Sequence, residues 1–313
     1  MSIQKVEYYL EGIKKQDKTI LAQAITLVES QNQDHAKVAA ELLQKLIPQF
    51  GKSKKIAITG TPGVGKSTFI EKFGMRLIKN GHKMAIIAID PTSFLSGGSI
   101  MGDKTRMNEL AQSESAFIRP SPSGKGVGIN PRTQEVIFLL DAFGFDYIFI
   151  ETVGVGQTEI EVKSICDCFT FIQSPTAGDE LQGIKRGIME ASDVILINKA
   201  DNELENLANH FKSDILNALS ITRSTQEVPV ILCSSVTGKG YDELIKVYDH
   251  FFQNKKIQWD AKNWLKKRLI ESFMNSLEGE SSWQENLETH AKLLKKGEED
   301  ICQAISHLNK ILL

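Results

Sequence analysis

Apolar positions recur along this chain with two different periods, and the change of period divides it into three. In "DKTILAQAITLVES" the residues Ile20, Leu21, Ala24, Ile25 and Val28 fall on one helical face behind Asp17 as an N-cap. In "DHAKVAAELLQKLIP" the residues Val38, Leu42, Leu43, Leu46 and Ile47 do the same before Pro48 stops the helix. Residues 1–53 therefore read as an N-terminal helical extension. From 54 to 253 short β-rich runs alternate with helical ones: "KIAITG", "KMAIIAID", "SAFIRP", "YIFIET", "CFTFIQS", "VILINKAD" and "VPVILCSS". Strands separated by helices predict right-handed βαβ units, hence an α/β domain with a mostly parallel sheet covered on both faces. Residues 254–313 return to helix, with "NWLKKRLIESFMNSLEG" and "EEDICQAISHLNKILL". In the second of these, Ile301, Ile305, Leu308 and Leu312 make an apolar stripe too short for a coiled coil, and packing on the α/β domain or on a second subunit are both open.

Ligands of open parallel sheets bind beyond the carboxyl ends of the strands, and four of these runs end in residues that carry chemistry. The first leads into "GTPGVGKSTF", a GxxxxGK[ST] loop between a strand and a helix. Its glycines let the backbone wrap an anion, so the residues Gly60, Thr61, Pro62, Gly63, Val64, Gly65, Lys66, Ser67 and Thr68 are expected to hold phosphates. Lys66 supplies positive charge near the β/γ bridge and Ser67 a hydroxyl for Mg²⁺. Asp90 at the end of "MAIIAID", Asp103 in "GDKTRM" and Glu151 in "IETVGVGQTE" are further metal-side carboxylates. Gly154 can approach the γ-phosphate through its N–H, and Gln157 is a weaker candidate for orienting water.

"NKAD" selects the base. The Asp201 carboxylate can accept from both the ring N–H and the exocyclic amine of guanine, a pair adenine cannot offer, while the Lys199 stem can cover the ring and Asn198 opens the motif. The loop "CSSVTGKG", with Ser234, Ser235 and Val236, is placed to back the base with N–H groups. A GTP/GDP site is expected rather than an ATP site.

Composition changes this picture little. With 313 residues and a formal charge of −2, no basic face argues for a nucleic-acid partner. The opening "MSIQKVEYYLEGIKKQDKT" is polar throughout and no apolar run approaches a membrane span, so a cytoplasmic protein is expected. The four cysteines are too few for a disulfide framework. Cys166 and Cys168 form a CxC that alternation would put on one face of a strand, where they read as buried thiols rather than a metal site.

These residues carry a resemblance to a known family. Over nearly its whole length the chain is similar to the MeaB/ArgK-type GTPases, the methylmalonyl-CoA mutase-associated chaperones of the SIMIBI class of P-loop NTPases. The pieces that match are "AITLVES", "GTPGVGKSTFIE", "AIDPTS" with "SGGSIMGDKTRM", "FIRPSPS", "ETVGVGQTE", "AGDELQGIKRGIMEASD" and "NKAD". The resemblance implies slow, Mg²⁺-dependent GTP hydrolysis that gates adenosylcobalamin loading and protection of an acyl-CoA mutase. It implies that Lys66, Asp90, Asp103 and Glu151 serve nucleotide, metal and hydrolysis, with Lys66, Asp103 and Glu151 acting in catalysis. It also implies that "GDELQGIK", with Gly178, Asp179, Glu180, Gln182 and Lys185, is a switch answering to the mutase, and that residues 254–313 form the dimerisation arm of a homodimer. Three departures stand out: the stretch from Gly124 to Pro131 is one residue shorter than usual, "PTSFLSGG" lacks a proline the family often has, and "CSS" replaces the more usual "CSA". A metallochaperone GTPase of the same class and a transport-linked kinase are the competing readings.

Overall fold

In the computed structural model the described residues are 3–30, 32–90, 107–122, 129–152, 158–176, 186–222 and 228–254, then 281–296 with isolated positions between 262 and 308. The chain divides into two compact units, Met1–Trp259 and Asp260–Leu313.

The first unit is built on a seven-stranded sheet of β1 (Lys54–Thr59), β2 (Met84–Asp90), β3 (Ala116–Pro122), β4 (Tyr147–Glu151), β5 (Cys168–Gln173), β6 (Val194–Ile197) and β7 (Val230–Leu232). All seven runs read as strands from their composition form strands. Their order is β3-β2-β4-β1-β5-β6-β7 and every pairing is parallel. β1 thus lies in the middle, with Ile58 level with Glu151 on one side and with Thr170 on the other.

Side chains alternate between two cores, as strands buried on both faces require. Ala57, Ile148, Ile150, Phe169 and Phe171 join one core with α1 (Val6–Lys14), α2 (Lys18–Glu29), α3 (Gln33–Leu46), α6 (Thr133–Phe143), α7 (Thr158–Lys163), α8 (Arg186–Ala191) and α9 (Glu205–Thr222). Ile56, Ile58, Phe149, Cys168 and Ile172 join the other with α4 (Lys66–Lys79), α5 (Asn108–Gln112) and α10 (Tyr241–Asn254). The N-terminal helices are therefore part of the main core, through α2 and α3 against α6. Asp141 of α6 ties their exit to β1: its buried carboxylate accepts from the backbone N–H of Gly51 (2.6 Å) and Ser53 (2.8 Å) and lies 3.3 Å from the Lys55 ammonium.

Two expectations need correction. The opening segment is not merely polar: Val6, Tyr9 and Ile13, at helical spacing, are buried in α1. Cys166 precedes β5 and is half-buried, so only Cys168 of the CxC lies in the strand. The second unit contains a helix α11 (Ser281–Lys296). The described positions of "NWLKKRLIESFMNSLEG" are helical, and Leu265, Leu269 and Phe273, four residues apart, are exposed. No helix among the described residues is long and apolar enough to cross a membrane.

Candidate functional site

The loop between β1 and α4 is shaped by close approach. A Cβ on Gly60 would stand 2.2 Å from the Ile172 carbonyl oxygen of β5, and one on Gly65, which has φ +93°, would stand 2.7 Å from Asn198 Nδ2. Only glycine fits either place. Thr61 and Val64 turn inward, while Pro62, Gly63 and Thr68 are exposed. Lys66, at the first position of α4, is 8% exposed and donates to the Gly60 carbonyl at 2.8 Å and the Thr61 carbonyl at 3.1 Å. Its ammonium is therefore held over the loop that would surround the phosphates.

Ser67 Oγ donates to Glu151 Oε1 at 2.8 Å, joining residues 84 positions apart. The pairing of β1 with β4 causes this, because it sets Glu151 level with Ile58 just before the loop begins. A hydroxyl and a carboxylate at a helix start form the oxygen-only donor set that Mg²⁺ prefers, so the residues present fit that ion. Two threonines not singled out from the sequence sit directly beneath. Thr152 Oγ1 donates to Thr59 Oγ1 at 2.9 Å and Thr152 N–H to the Ile58 carbonyl at 3.1 Å, and both side chains are buried. Their one signal in the sequence is a threonine at the end of each of two apolar runs, "IAIT" and "IFIET".

On the other side of β1, the ends of β6 and β7 converge on Asn198, which is 1% exposed. Its Nδ2 donates to the Val64 carbonyl at 2.9 Å, and its Oδ1 accepts from Ser235 N–H at 3.1 Å, Ser235 Oγ at 2.9 Å and, weakly, Cys233 Sγ at 3.8 Å. A carbonyl on one side and an N–H on the other fix the orientation of this amide. Lys199, in the left-handed region at φ 62°, sends its ammonium to the Gly63 carbonyl at 2.8 Å. Asp201 accepts from Ser234 Oγ, which in turn accepts from Val236 N–H (3.2 Å) and Thr237 N–H (3.1 Å). Val236 itself is 84% exposed. Asn198 and Lys199 thus reach back to the phosphate loop, while Asp201 is tied to the loop after β7.

Burial pushes the Cys233 thiol up to about 12. Burial likewise pushes the Tyr241 phenol up to about 12, with the Ser235 side chain pulling the other way. Both groups are neutral at ordinary pH. Tyr241 packs edge-on against Phe69 and Phe73 of α4, so α10 braces the helix that carries Lys66 and Ser67.

The other sequence-derived candidates are not described. Asp90 ends β2, but its side chain is not among those described; Asp103, Gly154, Gln157 and the segment from Gly178 to Lys185 lie outside the described residues, as does the stretch 123–128.

Comparison with known proteins bears on family and fold. The family model described as methylmalonyl Co-A mutase-associated GTPase MeaB matches residues 21–277. The chain is similar to GTPase ArgK of Escherichia coli (strain K12), with 42% identity over 281 residues that cover 86% of this chain and 85% of the relative. It is also similar to the methylmalonic aciduria type A homolog, mitochondrial, of Mus musculus, with 42% identity over 253 residues that cover 76% of this chain and 61% of that protein. Among solved structures, a LAO/AO transport system kinase superposes with a TM-score of 0.75 at 31% identity, covering 100% of this chain and 99% of that one. HypB from Helicobacter pylori in complex with nickel superposes at 0.52 over 71% of this chain and 96% of its own length; at 16% identity the likeness shows the fold alone.

Proposed function

This chain belongs to the MeaB family of methylmalonyl-CoA mutase-associated GTPases, and from that membership we propose that it hydrolyses GTP to gate adenosylcobalamin loading and protection of an acyl-CoA mutase. One observation carries the nucleotide part. Asn198 and Lys199 bond the Val64 and Gly63 carbonyls of the phosphate loop while Asp201, two residues on, is tied to the loop after β7, so the elements for phosphate and base recognition form one connected unit.

Within that reading Lys66 neutralises phosphate charge, and Ser67 with Glu151, joined by Asp90 and Asp103, holds Mg²⁺. When bound, the ion would supply positive charge that offsets that of the phosphates. Glu151 and Asp103 would help hold the ion and orient the attacking water. Asp201 reads the ring N–H and amine of guanine, and Ser235 N–H serves its 6-oxo group. The segment Gly178–Lys185 answers to the mutase. A homodimer formed through residues 254–313 is supported by the exposed Leu265, Leu269 and Phe273.

The test is to titrate purified mutase against the parent chain and against Asp179→Ala and Lys185→Ala while following GTP turnover. Stimulation of the parent is expected, with ATP as a poor substitute. Both variants should lose stimulation and keep the basal rate. Basal and stimulated rates falling together would remove the switch assignment, and no stimulation of the parent would remove the mutase as client.

A further inference from the structure

Asn198 Oδ1 faces more donors than it can serve well. An amide oxygen has two lone pairs, yet Ser235 N–H (3.1 Å), Ser235 Oγ (2.9 Å) and the Cys233 thiol (3.8 Å) all point at it. Two of the three come from one residue, and the third is weak by chemistry and by distance. Asn198 is 1% and Ser235 6% exposed, so water cannot replace a bond that either loses. The other end of the amide holds the phosphate loop at the Val64 carbonyl, directly before Gly65, whose missing side chain is what lets the amide come so near.

We propose that the Ser235 hydroxyl is a relay: it keeps Asn198 bonded, and through it the phosphate loop in place, when the Ser235 N–H is handed to the 6-oxo group of a bound purine. This rests on the guanine reading above. A base whose ring N–H and amine face Asp201 carries its 6-oxo group on the adjoining ring carbon. Ser235 follows Ser234, the hydroxyl partner of Asp201, and is therefore the next donor along the loop. In the structure that N–H is committed to Asn198. Transfer without the hydroxyl would leave a buried amide oxygen with only a thiol, and an unsatisfied buried acceptor is costly. Transfer with it exchanges one acceptor for another and leaves Asn198 bonded at 2.9 Å. Ser235 is thus a positioning residue whose hydroxyl acts through Asn198, and alanine at this place could not do the same.

The inference separates ligands by one atom. Calorimetric affinities for GDP and for 6-thioguanosine diphosphate, which keeps the ring N–H and amine that face Asp201 but carries a weakly accepting sulfur in place of the 6-oxo oxygen, are compared in the parent, Ser235→Ala and Ser235→Thr. Ser235→Ala should bind GDP about three- to tenfold more weakly, the loss of one neutral hydrogen bond. The analogue should be unaffected within about twofold, since the N–H then stays on Asn198. Ser235→Thr should restore GDP. Equal weakening toward both ligands would mean a purely structural hydroxyl and overturn the relay, and so would unchanged GDP affinity in Ser235→Ala. If the parent fails to prefer GDP over ADP, the guanine reading itself falls and takes the relay with it.

Discussion

The two flanks of β1 reach the same ligand by different means. On the phosphate flank the shape is made by backbone: glycines at 60 and 65 stand where a Cβ would strike the Ile172 carbonyl or the Asn198 amide, and Lys66 rests on the loop's own carbonyls. On the base flank the shape is made by side chains bonding one another, Asn198 with Ser235 and Asp201 with Ser234. A backbone-made site fails abruptly, because a substitution moves every donor in the loop. A side-chain-made site fails by degrees, one hydrogen bond at a time. Two contacts link the flanks, Asn198 to the Val64 carbonyl and Lys199 to the Gly63 carbonyl, and through them one flank can sense the other.

The largest effects are expected on the phosphate flank. Lys66→Ala removes the buried charge held over the loop, and single-turnover GTP hydrolysis should fall on the order of 10³-fold, the scale of losing a charge-stabilising donor. Gly60→Ala leaves the charge but forces the chain away from Ile172, and should abolish nucleotide binding as completely. Turnover of Gly60→Ala within a few-fold of the parent would show that this loop is not held by close approach.

A base-flank substitution should cost less and should change the ligand rather than abolish it. Asp201→Asn exchanges an acceptor for a mixed donor and acceptor, so GTP affinity should drop about 10²-fold, as mismatched buried hydrogen bonds do, and xanthosine triphosphate should gain. Competition binding between the two nucleotides reads this directly. Undiminished GTP preference would take Asp201 out of base recognition.

How far these flanks could be read from sequence follows the same division. The phosphate loop is contiguous, so "GTPGVGKS" after an apolar run already contained its glycines, its lysine and its hydroxyl. Each of the seven strands was legible from β-branched runs between helical ones, since strands buried on both faces need no alternation. The Ser67–Glu151 bond was half legible: both residues stood out as metal-side groups, but their contact depends on the register of β1 with β4. The Thr59–Thr152 pair and the double donation from Ser235 to Asn198 join residues 93 and 37 positions apart, and nothing local marks them. Helix α1 escaped because charged and polar residues surround Val6, Tyr9 and Ile13.

A smaller effect is expected under the phosphate flank. Thr152→Val keeps the shape of the side chain and deletes its hydroxyl, leaving Thr59 Oγ1 buried without that partner. Thermal stability should fall by roughly 1–3 kcal/mol, the range for an orphaned buried polar group. Turnover should fall more than GDP affinity, because Thr152 adjoins Glu151 and helps set its approach to Ser67. The double variant Thr59→Val with Thr152→Val should recover much of the stability, since removing both partners leaves no orphan. Failure of that recovery would mean that the pair is not a mutual hydrogen bond.

The smallest effect distinguishes the base flank by pH. Cys233 and Tyr241 lie behind the loop after β7, and burial pushes both up to about 12 from ordinary values of 9.0 and 10.0. A proton held more tightly in the folded chain than in the unfolded one stabilises the fold fully below the unfolded value. That contribution is lost as pH rises, because the unfolded chain then ionises and the folded one does not. For Cys233 the window runs from 9.0 to about 12, and at pH 10 the loss from one such thiol is roughly 1 kcal/mol. Chemical denaturation of the parent between pH 8 and 10.5 should therefore show stability declining, and Cys233→Ala should decline less steeply whatever its starting stability. Reading the slope rather than the midpoint cancels the packing lost with the sulfur. Identical slopes would mean that the thiol is reached by solvent in the folded state, in which case it should also react with iodoacetamide without unfolding.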